Sequence, residues 1–301
     1  MFARLFAQSG LSLDRLRALV EVGARGSIVR AAEGDFARQS QYSRQIKELG
    51  DFFQIALVER HGKGVRLTAH GKELARISRF FLLGLSNFQR GCLAEGQTFR
   101  IGASTTFLSQ FLLPLLARSG SAPAGVRFTV ETVTDAEAER RLHDLTLDFA
   151  VVTQGTLSRP LQTKELGQWR LWLWVPKTIC RNARQAARAF AAGQLSLAWP
   201  VAELPPDVLG VLGDREPPLT CNTFLEARTA LAARRFATVL PDFLEPGPDP
   251  DGFLRVRTAA LNALQFHYHL AWNPRLLRLN PHAARRRDAL AVALAGQFAS
   301  A

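Results

Sequence analysis

The hydrophobic pattern of this chain changes near Glu95 to Thr98, and the change constrains the fold more than any single motif does. Before it, apolar residues recur at helical spacing. After it, short strand-like apolar runs alternate with helical stretches. A chain of 301 residues also exceeds one average domain. We therefore expect two domains, each large enough to bury a core of its own.

The chain is strongly basic, with a net charge of +12 and a pI near 10.8. Residues 1–97 hold 15 Lys and Arg against 9 Asp and Glu, so the excess is densest in the first third of the chain. Such a charge favours a polyanionic partner, either nucleic acid or an anionic membrane surface. No apolar run approaches the ~20 residues that a membrane span needs, and residues 1–10 lack the long apolar segment of a secretory signal.

The cysteines indicate a reducing compartment. Cys92, Cys180 and Cys221 are odd in number, widely spaced and outside any CxxC motif. This arrangement predicts neither a disulfide framework nor a zinc site. We expect a cytoplasmic protein without a metal or a cofactor.

Two helices are predicted at the start of the chain. The first follows from apolar residues at helical spacing and is expected to end near Gly23. Ser27 can cap a second, short helix that stops around Gly34. The apolar positions of these two helices are Leu13, Leu16, Leu19, Val20, Ile28, Ala31 and Ala32.

A third helix carries two contrasting faces. Its apolar residues are spaced 4, 3 and 4 apart and form one narrow stripe, which consists of Tyr42, Ile46, Leu49 and Phe53. Its opposite side is polar and cationic, and consists of Ser40, Gln41, Ser43, Arg44 and Lys47. Gln pairs well with adenine and Arg with guanine in a major groove. Any surface helix also has a polar side, so this helix alone leaves both interpretations open.

A basic hairpin follows the third helix. Residues 56–60 and 65–68 form strand-like runs on either side of His61, Gly62, Lys63 and Gly64. Three helices and a basic hairpin predict a winged helix-turn-helix.

Thr68 can cap a long amphipathic helix that runs to about Gly91. Its apolar residues follow at spacings of 3, 4, 4 and 3, and are Leu74, Ile77, Phe81, Leu85 and Phe88. Such a helix must cover its apolar side. It packs either on its own domain or, as we prefer, on a second subunit, which would place two recognition helices on one side of a DNA duplex.

These blocks resemble the LysR-type transcriptional regulators over the first ninety residues, without a gap between them. The residues that carry the resemblance are Gly26-Ser27, Ala31-Ala32, Ser43-Arg44-Gln45-Ile46, Leu57-Val58-Glu59-Arg60, Leu67-Thr68 and Gly71. The resemblance implies DNA contacts at Gln39, Ser40, Ser43, Arg44, Lys47 and Arg60. Charge and position add Lys63 and Arg66, and the helix face adds Gln41.

This chain departs from that family at three positions near the third helix. The family often has Leu where Asp35 stands, Pro where Ser40 stands and Glu where Gly50 stands. The first two departures affect the turn and the start of the helix, so the operator sequence does not carry over from relatives. Gly50 is expected to weaken the helix by about 1 kcal/mol unless the helix stops there.

Residues 98–301 alternate strands and helices, which predicts a parallel sheet with covering helices. This part resembles the family's effector-binding domain, two α/β lobes similar to periplasmic solute-binding proteins. The expected fold is therefore an α/β protein in three parts. These are a winged helix-turn-helix over residues 11–68, a linker and dimerisation helix over 69–97, and a two-lobed effector domain over 98–301.

In such a fold, ligands bind between the lobes, where strand ends and helix N-termini present free backbone N–H groups. The matching positions are Ser104, Thr105, Thr106, Thr153, Gln154, Asn222, Thr223 and Phe224. The alternative is that Ser, Thr and Asn at these positions only cap helices. Relatives usually carry Gly where Leu145, Arg234 and Phe236 stand, near helix ends that would use positive φ.

The sequence contains no motif of a hydrolase, a zinc protease, a P-loop or a dinucleotide-binding enzyme. His267 and His269 would share one face of a strand, but no cluster of Cys or carboxylates accompanies them. We therefore assign no catalytic residue.

The leading hypothesis is a cytoplasmic regulator that binds double-stranded DNA as a homodimer or tetramer. It responds to a small-molecule effector that alters either DNA bending or contact with RNA polymerase, and it does not contact membranes. The alternative is a small-molecule binding module whose N-terminal helices serve assembly. An enzyme on the two-lobed fold is the third hypothesis.

Overall fold

The computed structural model describes residues 5, 7, 9–61, 64–92, 97–118, 126–212 and 216–298. The chain divides into two compact units, Met1–Glu95 and Gly96–Ala301. Each unit has its own sheets and its own buried apolar residues, so each is described separately.

Helix α1, Leu13–Arg25, is longer than its sequence pattern predicts. The Ser12 hydroxyl caps its start by accepting a hydrogen bond from the Arg15 N–H, and Gly26 ends it with a φ of 77°. The helix passes Gly23 and ends two residues later, at Arg25, because Gly26 and not Gly23 takes the left-handed conformation. A Cβ on Gly23 would lie 3.3 Å from side-chain atoms of Leu67 and of Ala75.

Two more helices complete the helix-turn-helix. Helix α2, Ile28–Ala31, is capped by Ser27 as predicted. Helix α3, Phe36–Phe53, follows a turn in which Glu33 and Gly34 have positive φ. Tyr42, Ile46 and Leu49 are buried in the core of the unit, and Phe53 packs against that core. The predicted apolar stripe is thereby confirmed.

Gly50 has a packing role that the sequence did not reveal. Helix α3 continues past it to Phe53, and the chain then turns back so that the Ile55 N–H donates to the Gly50 carbonyl at 3.0 Å. A Cβ on Gly50 would lie 2.9 Å from the Ile55 carbonyl oxygen. Glycine thus permits the close return of the chain.

The wing and the long helix follow the predicted order. Strands β1, Val58–His61, and β2, Gly64–Leu67, pair antiparallel. Helix α4, Ala69–Cys92, packs on α1. Within its first turn, the Gly71 N–H donates to the Thr68 hydroxyl at 3.0 Å.

The first sheet of the second unit is mixed, not parallel as the alternation predicted. Its strands are β3 Gln97–Ala103, β4 Val126–Thr132, β5 Phe149–Val152, β6 Gln162–Trp169 and β12 Phe266–Trp272. Strand β3 pairs parallel with β4 and β5, but β12 pairs antiparallel with both β5 and β6. The order is β4-β3-β5-β12-β6. Strand β12 comes from the far end of the chain, so local alternation could not reveal its direction.

The second sheet is also mixed. Its strands are β7 Leu171–Pro176, β8 Leu197–Pro200, β9 Leu219–Cys221, β10 Ala237–Pro241 and β11 Phe253–Val256. Their order is β11-β7-β10-β8-β9, and β10 pairs parallel with β8 and antiparallel with β7. We call the first sheet with its helices lobe I and the second lobe II. The chain crosses between them at Arg170 and between Val256 and Phe266.

Helices cover both sheets. Helix α5 comprises Thr105–Phe107, a π-helical turn at Leu108–Leu112, and Leu113–Ala117. The others are α6 Asp135–His143, α7 Ala183–Ala191, α8 Pro206–Leu209, α9 Phe224–Ala232, α10 Ala259–Asn262, α11 Pro274–Leu279 and α12 Pro281–Phe298. Two short 3₁₀ turns lie at Gly210–Leu212 and Pro250–Gly252. In the described part of the chain, no helix combines the length and apolar character needed to cross a membrane.

The missing helix-end glycines leave two non-glycine residues in the left-handed region. Leu145 has a φ of 55° and Arg234 a φ of 58°. The Arg234 side chain forms an exposed ion pair with Asp249 at 2.5 Å. Phe236 is not among the residues with positive φ, so the expectation for that position was wrong.

Candidate functional site

The start of helix α3 is set by Asp35. Its carboxylate accepts hydrogen bonds from the Ala37 N–H at 2.8 Å and the Arg38 N–H at 3.2 Å. A carboxylate at this position also interacts favourably with the positive end of the helix. Because the helix begins at Phe36, Gln39 and Ser40 lie within its first two turns and do not precede it.

The polar side of α3 is open to solvent. Gln39 is half-buried, and five exposed side chains form what we call the recognition face, namely Ser40, Gln41, Ser43, Arg44 and Lys47. The apolar side of the same helix is buried in the unit's core. The tertiary structure therefore leaves the predicted polar residues free to meet a partner.

The cations of the recognition face differ in their partners from other arginines of the unit. Among the described residues, neither Arg44 nor Lys47 forms an ion pair. Elsewhere in the unit, Arg17 pairs with Asp14 at 3.4 Å, and Arg25 pairs with Glu33 at 3.4 Å. The positive charges of Arg44 and Lys47 are therefore not taken up by ion pairs, although Asp51 is exposed on the same side of α3.

The two described arginines of the wing differ in their surroundings. Arg66 pairs with Glu59 at 2.7 Å, which its place opposite Glu59 in the β1–β2 register permits. Arg60 is exposed, lies opposite Val65 and has no ion-pair partner within the described segments. Lys63 lies outside the described residues. Arg60 is therefore the stronger candidate for a phosphate contact.

Phe36 is a candidate that the sequence did not single out. It is the first residue of α3, is 82% exposed, and precedes Ser40 and Arg44 by four and eight residues. At 100° per residue, this spacing places the ring on the side of the recognition face. Asp35 was the available signal in the sequence, because reading it as a helix cap would have placed Phe36 at the start of the helix.

Tyr42 joins α3 to α1. Its phenol donates a short hydrogen bond to the Glu21 carboxylate. This bond raises the pKa of Tyr42, because loss of the proton would break it and place a phenolate beside a carboxylate. Burial of the ring raises the pKa further, because it disfavours the charged form. The bond restrains the orientation of the recognition face relative to α1.

The predicted effector residues at helix starts act as caps in this structure. The Ser104 hydroxyl accepts from the Phe107 N–H, and the Thr223 hydroxyl accepts from the Glu226 N–H. The Asn222 N–H donates in turn to the Glu226 carboxylate at 2.7 Å. The capping alternative thus accounts for Ser104 and Thr223, whereas Asn222 contributes only its backbone N–H, and effector binding by these residues stays a prediction.

Thr153 also has an internal partner. Its N–H and its hydroxyl donate to the same Asp135 oxygen, at 2.8 and 2.6 Å. The Thr105 hydroxyl donates to Thr132 at 3.4 Å, while Gln154 is exposed. A ligand at Thr153 would have to compete with a carboxylate of the chain itself.

Thr106 and Phe224 meet at one carboxylate. The Thr106 N–H and hydroxyl, together with the Phe224 N–H, donate to Glu203, which lies on the loop after β8. The structure therefore brings together predicted residues of lobe I and lobe II. The residue that joins them carries no sequence signal of its own.

No metal centre is evident. Within the described ranges, no group of three or more His, Cys, Asp or Glu side chains is placed to hold a metal ion. The His267 Nδ1 lies 3.0 Å from Glu165, and burial lowers the pKa of His269. Glu165 thus gives His267 a partner within the chain, whereas the buried Nδ1 of His269 has no hydrogen-bond partner among the described residues.

Comparison with known families identifies the class of protein. A family model described as "Bacterial regulatory helix-turn-helix protein, lysR family" matches residues 13–72. A model of the LysR substrate binding domain matches residues 94–293. The chain belongs to the LysR family of helix-turn-helix transcriptional regulators.

Individual relatives agree with this assignment. The HTH-type transcriptional regulator HdfR of Shigella boydii is 26% identical over 172 residues, which cover 54% of this chain and 61% of that protein. HdfR of Escherichia coli matches over the same length with the same identity. The alignment thus spans about three fifths of the curated relatives.

Solved structures share the fold over nearly the whole chain. A full-length OxyR variant from Pseudomonas aeruginosa is 19% identical with a TM-score of 0.65, and the match covers 95% of both chains. ArgP from Mycobacterium tuberculosis is 22% identical with a TM-score of 0.66, and the match covers 94% of this chain and 97% of that one. Full-length CbnR, solved in complex with its target DNA, is 16% identical with a TM-score of 0.55, and the match covers 92% and 100%.

Proposed function

We propose that the protein is a transcription regulator that binds a specific double-stranded DNA site through helix α3 and the wing. The observation that carries the proposal is the exposed recognition face, on which Arg44 and Lys47 have no acidic partner among the described residues. Leaving cations unpaired on one face provides the charge that phosphate and base edges require. A structure of CbnR with its target DNA supports this use of the shared fold.

The residues of the interface take distinct roles in this proposal. Arg44 and Gln41 read base edges, because Arg pairs with guanine and Gln with adenine. Ser40, Ser43, Lys47 and Gln39 contact the backbone or assist base reading, and Arg60, Lys63 and Arg66 contact phosphates from the wing. The ring of Phe36 contacts a thymine methyl group.

We further propose that the protein acts as a homodimer or tetramer in the bacterial cytoplasm and transmits an effector signal to DNA and to RNA polymerase. The exposed apolar residues of α4 support self-association, and the match to a LysR substrate binding domain supports a small-molecule effector. The proposal assigns no catalytic reaction and no cofactor to the chain.

Replacement of Arg44 by alanine tests the base-reading role. The operator is first selected from a random DNA pool. Arg44→Ala should then lower affinity for the operator by roughly 10- to 100-fold, with a smaller loss on random DNA. Arg60→Ala should weaken binding to both and reduce the salt slope by about one.

Arg140→Ala is the matched control, because it removes the same charge from α6, where Arg140 pairs with Glu137 and Asp144. It should leave operator affinity within about twofold. Equal losses on operator and random DNA for Arg44→Ala would contradict base reading. No salt-dependent DNA binding by the unmodified protein would favour the alternative, a binding module whose N-terminal helices serve assembly.

A further inference from the structure

Glu203 occupies a fixed position between the lobes. It lies on the loop that leaves β8, where the N–H groups of Glu203 and Leu204 both donate to the Pro200 carbonyl, at 3.3 and 3.2 Å. Leu204 is 6% exposed and anchors the loop in lobe II. The loop therefore presents the carboxylate from a restrained backbone.

Both oxygens of this carboxylate accept hydrogen bonds. Oε1 accepts from the Thr106 N–H at 2.9 Å, and Oε2 accepts from the Thr106 hydroxyl at 2.5 Å. Oε2 also accepts from the Phe224 N–H at 2.8 Å. One carboxylate thus joins α5 of lobe I to α9 of lobe II.

The donors come from the first turns of two helices. Ser104 caps α5 and Thr223 caps α9, so the N–H groups of Thr106 and Phe224 have no acceptor within their own helices. The positive ends of both helices favour an anion at this point. No Lys or Arg within the described ranges forms an ion pair with Glu203, so these helix ends supply its charge compensation.

The donors are also deeply buried. Thr106 is 0% exposed and Phe224 is 1% exposed. Buried N–H and hydroxyl groups without an acceptor are strongly unfavourable, so this site requires an occupant that accepts several hydrogen bonds. A carboxylate satisfies all three donors at once.

Aromatic rings from both lobes pack beside this contact. The rings of Phe111 in lobe I and Phe243 in lobe II have centroids 4.8 Å apart, and Trp169 lies 6.1 Å from both Phe224 and Phe243. The surroundings of the buried donors are therefore apolar, whereas the Glu203 side chain itself is half-buried.

We propose that these donors form a carboxylate-binding site between the lobes, and that the chain fills it with its own Glu203. Glu203 holds the lobes together without a small molecule, and the ligand class that competes for the site is a carboxylate. A carboxylate ligand at this site would be the effector of the proposed regulator, and only this link to DNA binding rests on the proposed function. Neither Thr106 nor Phe224 then binds an effector until Glu203 leaves.

Chemical rescue tests the proposal in the full-length protein without DNA. Glu203→Ala should lower the unfolding temperature by about 4–10 °C, because the buried donors lose their acceptor. Sodium acetate or formate should restore part of this loss in a saturable manner, compared with sodium chloride at equal ionic strength. The unmodified protein should show no such difference between the salts.

Two further variants complete the experiment. Glu245→Ala removes an exposed carboxylate from the same lobe and should show neither the loss nor the rescue. Glu203→Gln should be less stable than the unmodified protein yet insensitive to acetate, because the amide still fills the site. If Glu203→Ala does not fold, the stability of Glu203→Gln tests the proposal instead.

Two results would overturn the proposal. One is a response of Glu203→Ala to acetate that equals that of the unmodified protein. The other is a Glu203→Gln variant as stable as the unmodified protein. Neither result depends on DNA, so a failure here leaves the DNA-binding proposal standing, and a failure of the Arg44 experiment leaves this one standing.

Discussion

At the scale of single residues, polar contacts orient the helix that carries the recognition face. Asp35 begins α3, and the hydrogen bond from Tyr42 to Glu21 ties the same helix to α1. Tyr42 is 9% exposed, so the bond lies in a partly dry environment where a lost partner is costly. Because the pKa of Tyr42 is raised, the contribution of this contact to the free energy of unfolding depends on pH in a direction that can be measured.

Tyr42→Phe should lower the free energy of unfolding by about 1 kcal/mol near pH 8, since Glu21 loses the phenol as a donor and keeps only its ion pair with Arg17 at 3.8 Å. The pKa of Tyr42 in the folded protein is raised above its ordinary value of 10.0. The contribution of the phenol is therefore complete below pH 10 and is lost as the pH rises through the higher folded value. Urea unfolding of both proteins at pH 8, 10 and 11 checks this, and a difference that stays constant over that range would count against it.

At the scale of elements, the start of α4 is fixed against the segment that precedes the wing. The Thr68 hydroxyl donates to the Ala56 carbonyl at 2.8 Å, and the Thr68 N–H donates to the Leu57 carbonyl at 3.0 Å. A Cβ on Gly71 would lie 2.1 Å from the Leu57 carbonyl oxygen. The glycine that contributed to the family resemblance is therefore a point of backbone contact.

Gly71→Ala should destabilise the protein by about 1–3 kcal/mol, although alanine favours helix by about 1 kcal/mol over glycine. Gly296→Ala in α12 is the matched control, because a Cβ there meets open space. It should be neutral or stabilising by up to about 1 kcal/mol. Chemical unfolding measures both, and equal effects of the two substitutions would refute the close approach at Gly71.

At the scale of the whole molecule, α4 leaves an apolar surface uncovered in the single chain. Ile77, Phe81, Leu85 and Phe88 are 51%, 48%, 43% and 73% exposed. Leu74 differs from them, because it is half-buried and packs against the core of its own unit. We retain the other four as the proposed pairing surface and remove Leu74 from it.

Phe81→Glu combined with Phe88→Glu should convert the protein to a monomer in sedimentation velocity, because charges on this surface oppose its burial against a second copy. Operator affinity should fall at the same time, since each half-site then binds alone. Val292→Glu, at a residue that is 69% exposed on α12, is the control and should not change the oligomeric state. An unchanged sedimentation coefficient for the double variant would exclude this surface.

The parts of the fold that the sequence predicted are those that local physics decides. The stripe of Tyr42, Ile46 and Leu49 follows from the helical period, and the cap at Ser27 follows from one hydroxyl beside free N–H groups. The end of α1, expected near Gly23, lies two residues later at Arg25, since Gly26 takes the left-handed φ and the local pattern does not distinguish the two glycines.

The polar residues of the sites divide in the same way. Helical period and charge predict Arg44 and its neighbours, because they concern one helix. The pairing of Arg66 with Glu59 depends on the register of two strands, and the direction of β12 depends on a strand that the chain reaches only at its far end.

The sequence alone predicted the winged helix-turn-helix, since periodicity, caps and turns are encoded within short stretches, and its motifs carried the resemblance to the LysR-type regulators. Only the tertiary structure decided what lies between the lobes. Glu203 is 97 residues from Thr106 and 21 from Phe224, and no local pattern distinguishes it from an exposed carboxylate. Its role arises because two helix N-termini from different lobes converge on one point, and buried donors at such a point require an acceptor.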